Sequence, residues 1–109
     1  MPIVKFNAPE EFLAELTKDV ALVDRQIVRV TNLYRQSTYS PGVQHLSVVA
    51  TARVGSDIVR LDLYCGDLWH IERQDTPVTA KAERMRRALA EGCARLGLEV
   101  RAGLLDEAE

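Results

Sequence analysis

The residues of this chain that could do chemistry are few and scattered. It holds two histidines, His45 and His70, and two cysteines, Cys65 and Cys93. Neither pair has the H-E-x-x-H or C-x-x-C spacing that brings ligands onto one metal ion. A G-x-S-x-G elbow, a glycine-rich phosphate loop and a Walker-type lysine are likewise missing from the sequence. Asp67, His70 and Glu72 lie close together beside Trp69. Carboxylates flanking an imidazole could exchange protons if they shared a pocket. A charged loop next to one structural tryptophan accounts for the same residues. Two cysteines are too few for a disulfide scaffold and read as buried thiols. No catalytic residue, metal or cofactor is therefore implied, and an enzyme is the least favoured class.

The informative set is basic. Residues 25–60 carry five arginines against one acidic residue, and residues 80–101 carry six basic against three acidic ones, in a chain whose net charge is −2. Arg29, Arg35, Arg53 and Arg60 alternate with Thr31, Ser47, Thr51 and Tyr64 in segments that read as strands, so all are expected on one sheet face, opposite the helices. Arginine, hydroxyl and aromatic groups on one surface can position phosphates and stack bases. The same groups also serve a sheet face whose only task is to stay hydrated. Ile27, Leu33, Val43, Val49 and Ile58 fall on that face too, more apolar bulk than a solvated surface usually carries. A second copy of the chain would cover them, either sheet on sheet or through joined edge strands. The first helix is the alternative cover. The leading expectation is thus a non-enzymatic, homo-oligomeric interaction module, a dimer in the simplest case, with Ile27, Leu33, Val49 and Ile58 at its interface. The other is a nucleic-acid-binding module using Arg29, Arg35, Arg53, Arg60 and Tyr64.

Those faces depend on the elements that carry them. Leu46, Val48, Ala50, Ala52 and Val54 alternate with mostly polar residues, as do Val59, Leu61, Leu63 and Cys65, the period of half-buried strands. Gly55-Ser56 between them suits a type II′ turn. That turn predicts the pairs Ala52–Val59, Ala50–Leu61, Val48–Leu63 and Leu46–Cys65, each apolar against apolar. Residues 25–35 add a strand, with Val28, Val30 and Tyr34 on the apolar face and Asn32 among them, an amide needing hydrogen-bond partners if buried. Residues 3–6 and 98–102 read as short strands, and 68–72 as a further short one. A first helix is expected over residues 9–18, capped by Asn7, with Phe12, Leu13, Leu16 and Val20 on one side. A second opens at Thr76-Pro77 and carries Val78, Ala82, Met85, Leu89, Cys93 and Leu96 as its stripe, ending at Gly97.

The resulting fold class is α+β: an antiparallel meander of three to five strands with two helices, in the order (β)-α-β-β-β-(β)-α-β, forming a two-layer sandwich. With 109 residues, 47% of them hydrophobic and 28% charged, the chain fits one globular domain, expected over residues 2–103 with a frayed acidic tail at 104–109. Its apolar runs are far below the roughly 20 residues of a membrane span, and residues 1–5 lack a signal-peptide core, so a soluble cytoplasmic protein with no membrane partner is expected. The order α-β-β-β-α-β is shared with restriction-endonuclease-like nucleases, whose sites place acids and a lysine on adjacent strands. Here Asp62 and Tyr64 stand where an acid and a lysine would be wanted, and the preceding strand has no carboxylate. Double-stranded-RNA-binding domains share the order α-β-β-β-α, and Lys81, Arg84, Arg86 and Arg87 make the start of the last helix basic, without matching loop residues. Shared topology alone assigns no function.

Overall fold

A computed structural model describes residues 3–18, 27–36, 42–68 and 76–105. Along the chain they form β1 (Ile3–Phe6), α1 (Pro9–Leu16), β2 (Ile27–Gln36), β3 (Gln44–Val54), β4 (Asp57–Leu68), α2 (Thr76–Arg95) and β5 (Glu99–Ala102). The strands make one sheet in the order β1-β4-β3-β2-β5. The fold is α+β, as expected, but the sheet is mixed. β2, β3 and β4 form the antiparallel meander, while β1 runs parallel to β4 and β5 parallel to β2. Each edge strand belongs to a strand–helix–strand crossover, β1-α1-β2 or β4-α2-β5, and such connections return the chain in its original direction.

The central hairpin follows the expected register from Val54↔Asp57 through Ala52↔Val59 and Ala50↔Leu61 to Val48↔Leu63. Gly55 at its tip has φ +61°, and no non-glycine residue among those described has positive φ, which fits a II′ rather than a I′ turn. Beyond Ser47↔Tyr64 the ladder slips by one, so Leu46 faces Gly66 and not Cys65. Cys65 is the extra residue of a β-bulge. Gly66 makes the slip possible: its φ is +144°, and a Cβ there would lie 3.1 Å from Val78 Cγ2 at the start of α2.

Both helices lie on one face. Phe12 and Leu16 of α1 and Ala82, Leu89 and Cys93 of α2 share a single buried cluster with Val28, Val48, Ala50, Val59, Leu61 and Cys65. The alternative in which α1 covers the opposite face is therefore corrected, and topology supplies the reason. The two crossovers step across the sheet in the same direction between strands of the same sense, so a common handedness puts their helices on the same side. The helices touch where Leu13 packs over Gly92, at which a Cβ would come within 2.7 Å of Leu13 Cδ1.

Other details depart from the sequence reading. α1 stops at Leu16, its N-cap is Ala8 without a side-chain bond rather than Asn7, and Pro9 takes the first helical position. Leu96 is exposed, because it lies past the end of α2 in a Schellman turn. There Leu98 N–H donates to Cys93 O at 2.9 Å and Gly97 N–H to Ala94 O at 3.1 Å. Asn32 Oδ1 is buried with no hydrogen-bond partner among the described residues. β4 extends to Leu68, and the rest of the expected strand at 68–72 falls outside the described residues, as does Val20. Among the described residues, no helix is long and apolar enough to cross a membrane.

Thr51 is the largest departure. It lies on the face expected to be solvated, yet it is only 3% exposed, and its Oγ1 accepts a hydrogen bond from Leu105 N–H at 3.0 Å. Thr51→Val should cost about 1–3 kcal/mol by leaving that amide unpaired. Leu61→Asp should unfold the domain, since a buried unpaired charge costs several kcal/mol against a total of about 5–15. Arg35→Asp, at the exposed end of β2, should stay within about 0.5 kcal/mol. Equal losses for Leu61→Asp and Arg35→Asp in chemical denaturation would overturn the assignment of faces.

Both cysteines are buried and free. Burial pushes both thiols above the ordinary cysteine range; at Cys65 a backbone hydrogen bond at Val48 and the charge of Lys81 partly oppose it. Both should resist alkylation in the native protein at pH 8 and react once it is unfolded. Because the native fold holds these protons more tightly than the unfolded chain, their contribution to stability is complete below about pH 8.5 and is lost as pH rises through the raised native values.

Candidate functional site

The strand registers place the second face residue by residue. Ile27, Arg29, Thr31, Leu33 and Arg35 come from β2, and His45, Ser47, Val49, Thr51 and Arg53 from β3. Ile58, Arg60, Asp62 and Tyr64 come from β4. Parallel pairing adds Ile3 and Lys5 from β1 and Glu99 and Arg101 from β5. Lys5↔Arg60, Arg60↔Thr51, Thr51↔Arg29 and Arg29↔Arg101 are successive partners, so one row crosses all five strands with four cations in line and Thr51 at its centre. At about 4.8 Å per strand this row is about 19 Å wide. Arg53 lies next to it on β3, whereas Arg35 stands six residues along β2 from Arg29, about 20 Å away.

Lys5 and Arg101 were not visible as members of this set from sequence. They sit on four-residue strands, where alternation offers two positions per face and the parallel partner is remote in the chain. Their basic character was the only signal.

The row is only partly neutralised. Arg60 lies 3.8 Å from Asp62, and Arg101 Nε donates to Glu99 Oε1 at 2.8 Å. Arg29 Nη1 donates to Ala102 O at 3.3 Å. Among the cations Arg60 is largely buried, its side chain 12% exposed, and Arg29 and Arg53 are half-buried. Val49 is 0% and Ile58 2% exposed within the single chain, whereas Ile27 and Leu33 are half-buried. Part of the cover over Thr51 is the chain itself. Gly103 N–H donates to Val30 O at 3.2 Å, and two residues later Leu105 reaches Thr51 on β3, so the backbone passes over β2.

At the far end of the face the bulge has a chemical consequence. Without it Asp67 would face the helices; with it Asp67 pairs with His45 and stands beside Tyr64. Tyr64 O–H donates to Asp67 Oδ1 at 2.7 Å, and the His45 and Tyr64 rings meet edge to face at 5.7 Å. The hydrogen bond to Asp67 raises the Tyr64 pKa, with desolvation and the Asp67 charge acting in the same direction. This cluster keeps an exposed phenol neutral and oriented. Trp69, His70 and Glu72 lie outside the described residues. Among the described residues, no group of three histidine, cysteine or acidic side chains could hold a metal ion.

No family model matches the chain, and no curated protein or solved structure matches it. The site's own chemistry is the guide to its function. If Asp67 holds the Tyr64 proton as described, Asp67→Asn should lower the tyrosine pKa toward 10, read from phenolate absorbance against pH. An unchanged titration would remove Asp67 as the cause.

Proposed function

We propose that this domain is a non-catalytic binding module whose ligand is a polyanion, with the nucleic-acid backbone as the favoured class. One observation carries this reading: the alignment of Lys5, Arg60, Arg29 and Arg101 across the sheet, with Arg53 beside it and Arg35 farther along the same face. Phosphates are positioned by such cation arrays, and the array here is local, so the overall charge of −2 does not oppose it. The exposed Tyr64 ring offers a stacking surface at one end of the face.

Self-association is a second reading. Among the described residues of the face it retains the half-buried Ile3, Ile27 and Leu33, because Val49 and Ile58 are enclosed by their own chain. It is favoured instead by the sheet edge, where Val100 of the terminal strand is 38% exposed.

Binding of a fluorescent single-stranded oligonucleotide, measured across a salt series, tests the first reading. Lys5→Gln, Arg29→Gln and Arg53→Gln combined should weaken binding and reduce the salt slope by about 0.7 per lost phosphate contact, hence by about 2. A wild-type protein with no affinity for single- or double-stranded nucleic acid at low salt would overturn it.

A further inference from the structure

Two helices, each about 10 Å across, cover about 20 Å of sheet, whereas five strands span about 24 Å from edge to edge. The helices leave both sheet margins thinly covered: on one, Val4 of β1 is 36% exposed, and on the other lies β5. Its helix-side residues Val100 and Ala102 are exposed, and with Val30 and Ala90 they form the apolar floor of a groove of about 450 Å³ beside α2, rimmed by Arg86 and Arg87. Arg86 is already paired with Glu83 of its own helix.

The hydrogen-bond phase of β5 shows what the edge can accept. Gly103 N–H donates to Val30 O, so by two-residue alternation the amides of Arg101 and Glu99 also face β2. Val100 and Ala102 direct theirs outward. The carbonyl of Ala102 already accepts from Arg29 Nη1 at 3.3 Å, so Val100 is the position an added strand can use as a full hydrogen-bonded pair. For an antiparallel second copy, four two-fold axes on the strand keep this phase, and one at Ala102 faces Arg101 with Gly103 and brings no opposite charges together. A two-fold axis at Arg101 sets two arginines against each other, and one at Glu99 sets two glutamates against each other. An axis at Val100 pairs Val100 with itself and Glu99 with the other copy's Arg101, twice.

We infer that the chain forms a two-fold dimer by antiparallel pairing of β5 with β5 of a second copy, centred on Val100. The inference rests on the self-association reading and gives it a surface; it is independent of polyanion binding. The two Val100 residues exchange both backbone hydrogen bonds, and their side chains meet over this thinly covered margin. Glu99 and Arg101 occupy the non-hydrogen-bonded pairs, in which facing side chains come closest, so the intrachain Glu99–Arg101 contact at 2.8 Å is exchanged for two contacts between copies. The result is a continuous ten-stranded sheet with both cationic faces on the same side.

Sedimentation over a concentration series tests this on the whole chain. The wild type should dimerise, and Arg101→Glu, which sets acids against each other in the proposed register, should raise the dissociation constant by about tenfold or more. Glu99→Arg combined with Arg101→Glu should restore the dimer. Val100→Pro should also give monomer, since it removes the central outward amide yet leaves those of Arg101 and Gly103 for β2. A monomeric wild type at about 100 μM would overturn both the inference and the self-association reading. A dimer indifferent to Arg101→Glu and Val100→Pro would overturn this edge alone. Circular dichroism of each variant confirms that the monomers are folded.

Discussion

Ala52, Ala50 and Val48 meet Val59, Leu61 and Leu63 across the central hairpin, and this one register determines which side chains enter the core and which form the outer face. Strand side chains alternate at every residue, so a slip of one would send Leu61 and Val59 to the outer face and bring Arg60 and Asp62 under the helices. Turn chemistry at Gly55 and apolar pairing along the ladder select the same alignment. The parallel edge strands then extend it: Lys5 joins the outer face because it pairs with Arg60, and Arg101 because it pairs with Arg29.

Where the alignment changes, it does so at a residue able to absorb the change. Cys65 and Gly66 both point toward the helices, Gly66 leaves room for Val78, and the next residue, Asp67, is turned to the outer face. A bulge thus re-aims a single carboxylate onto a tyrosine without disturbing the core, in which Cys65 remains buried.

The meander, both helices and the short terminal strands were legible in the sequence because each carried more than one agreeing signal. Alternation coincided with a turn in β3 and β4, and a helical stripe coincided with proline and glycine boundaries in α2. Three features were not legible. The edge strands are too short to reveal their partners, and their parallel pairing depends on crossovers that connect the sheet at long range. The bulge leaves no mark in alternation until Gly66 is known to contact α2. Burial on the outer face was misjudged at Thr51 because a strand pattern separates two sides without showing what passes over either. Of the basic site, the sequence reading contained Arg29, Arg35, Arg53, Arg60 and Tyr64 but missed the two residues at its ends.

Charge and apolar surface are sorted by distance from the sheet centre. On the outer face Val49 and Ile58, on the inner strands, are shielded within one chain, so the apolar content that seemed to call for a partner is largely satisfied there. In the row that crosses the sheet, cations stand on every strand except the middle one, where Thr51 instead anchors the backbone of Leu105. Exposed apolar surface remains at the two margins, Val4 on β1 and Val100 on β5, where helix width rather than sequence pattern runs out. A chain of this size buries only about two thirds of the surface its unfolded form exposes, which makes such a margin costly to leave in water. The face and the edge therefore make separate demands. In the proposed function the face presents charge to a polyanion, and in the proposed dimer the edge presents backbone donors, a valine and a self-complementary acid–base pair to a second copy.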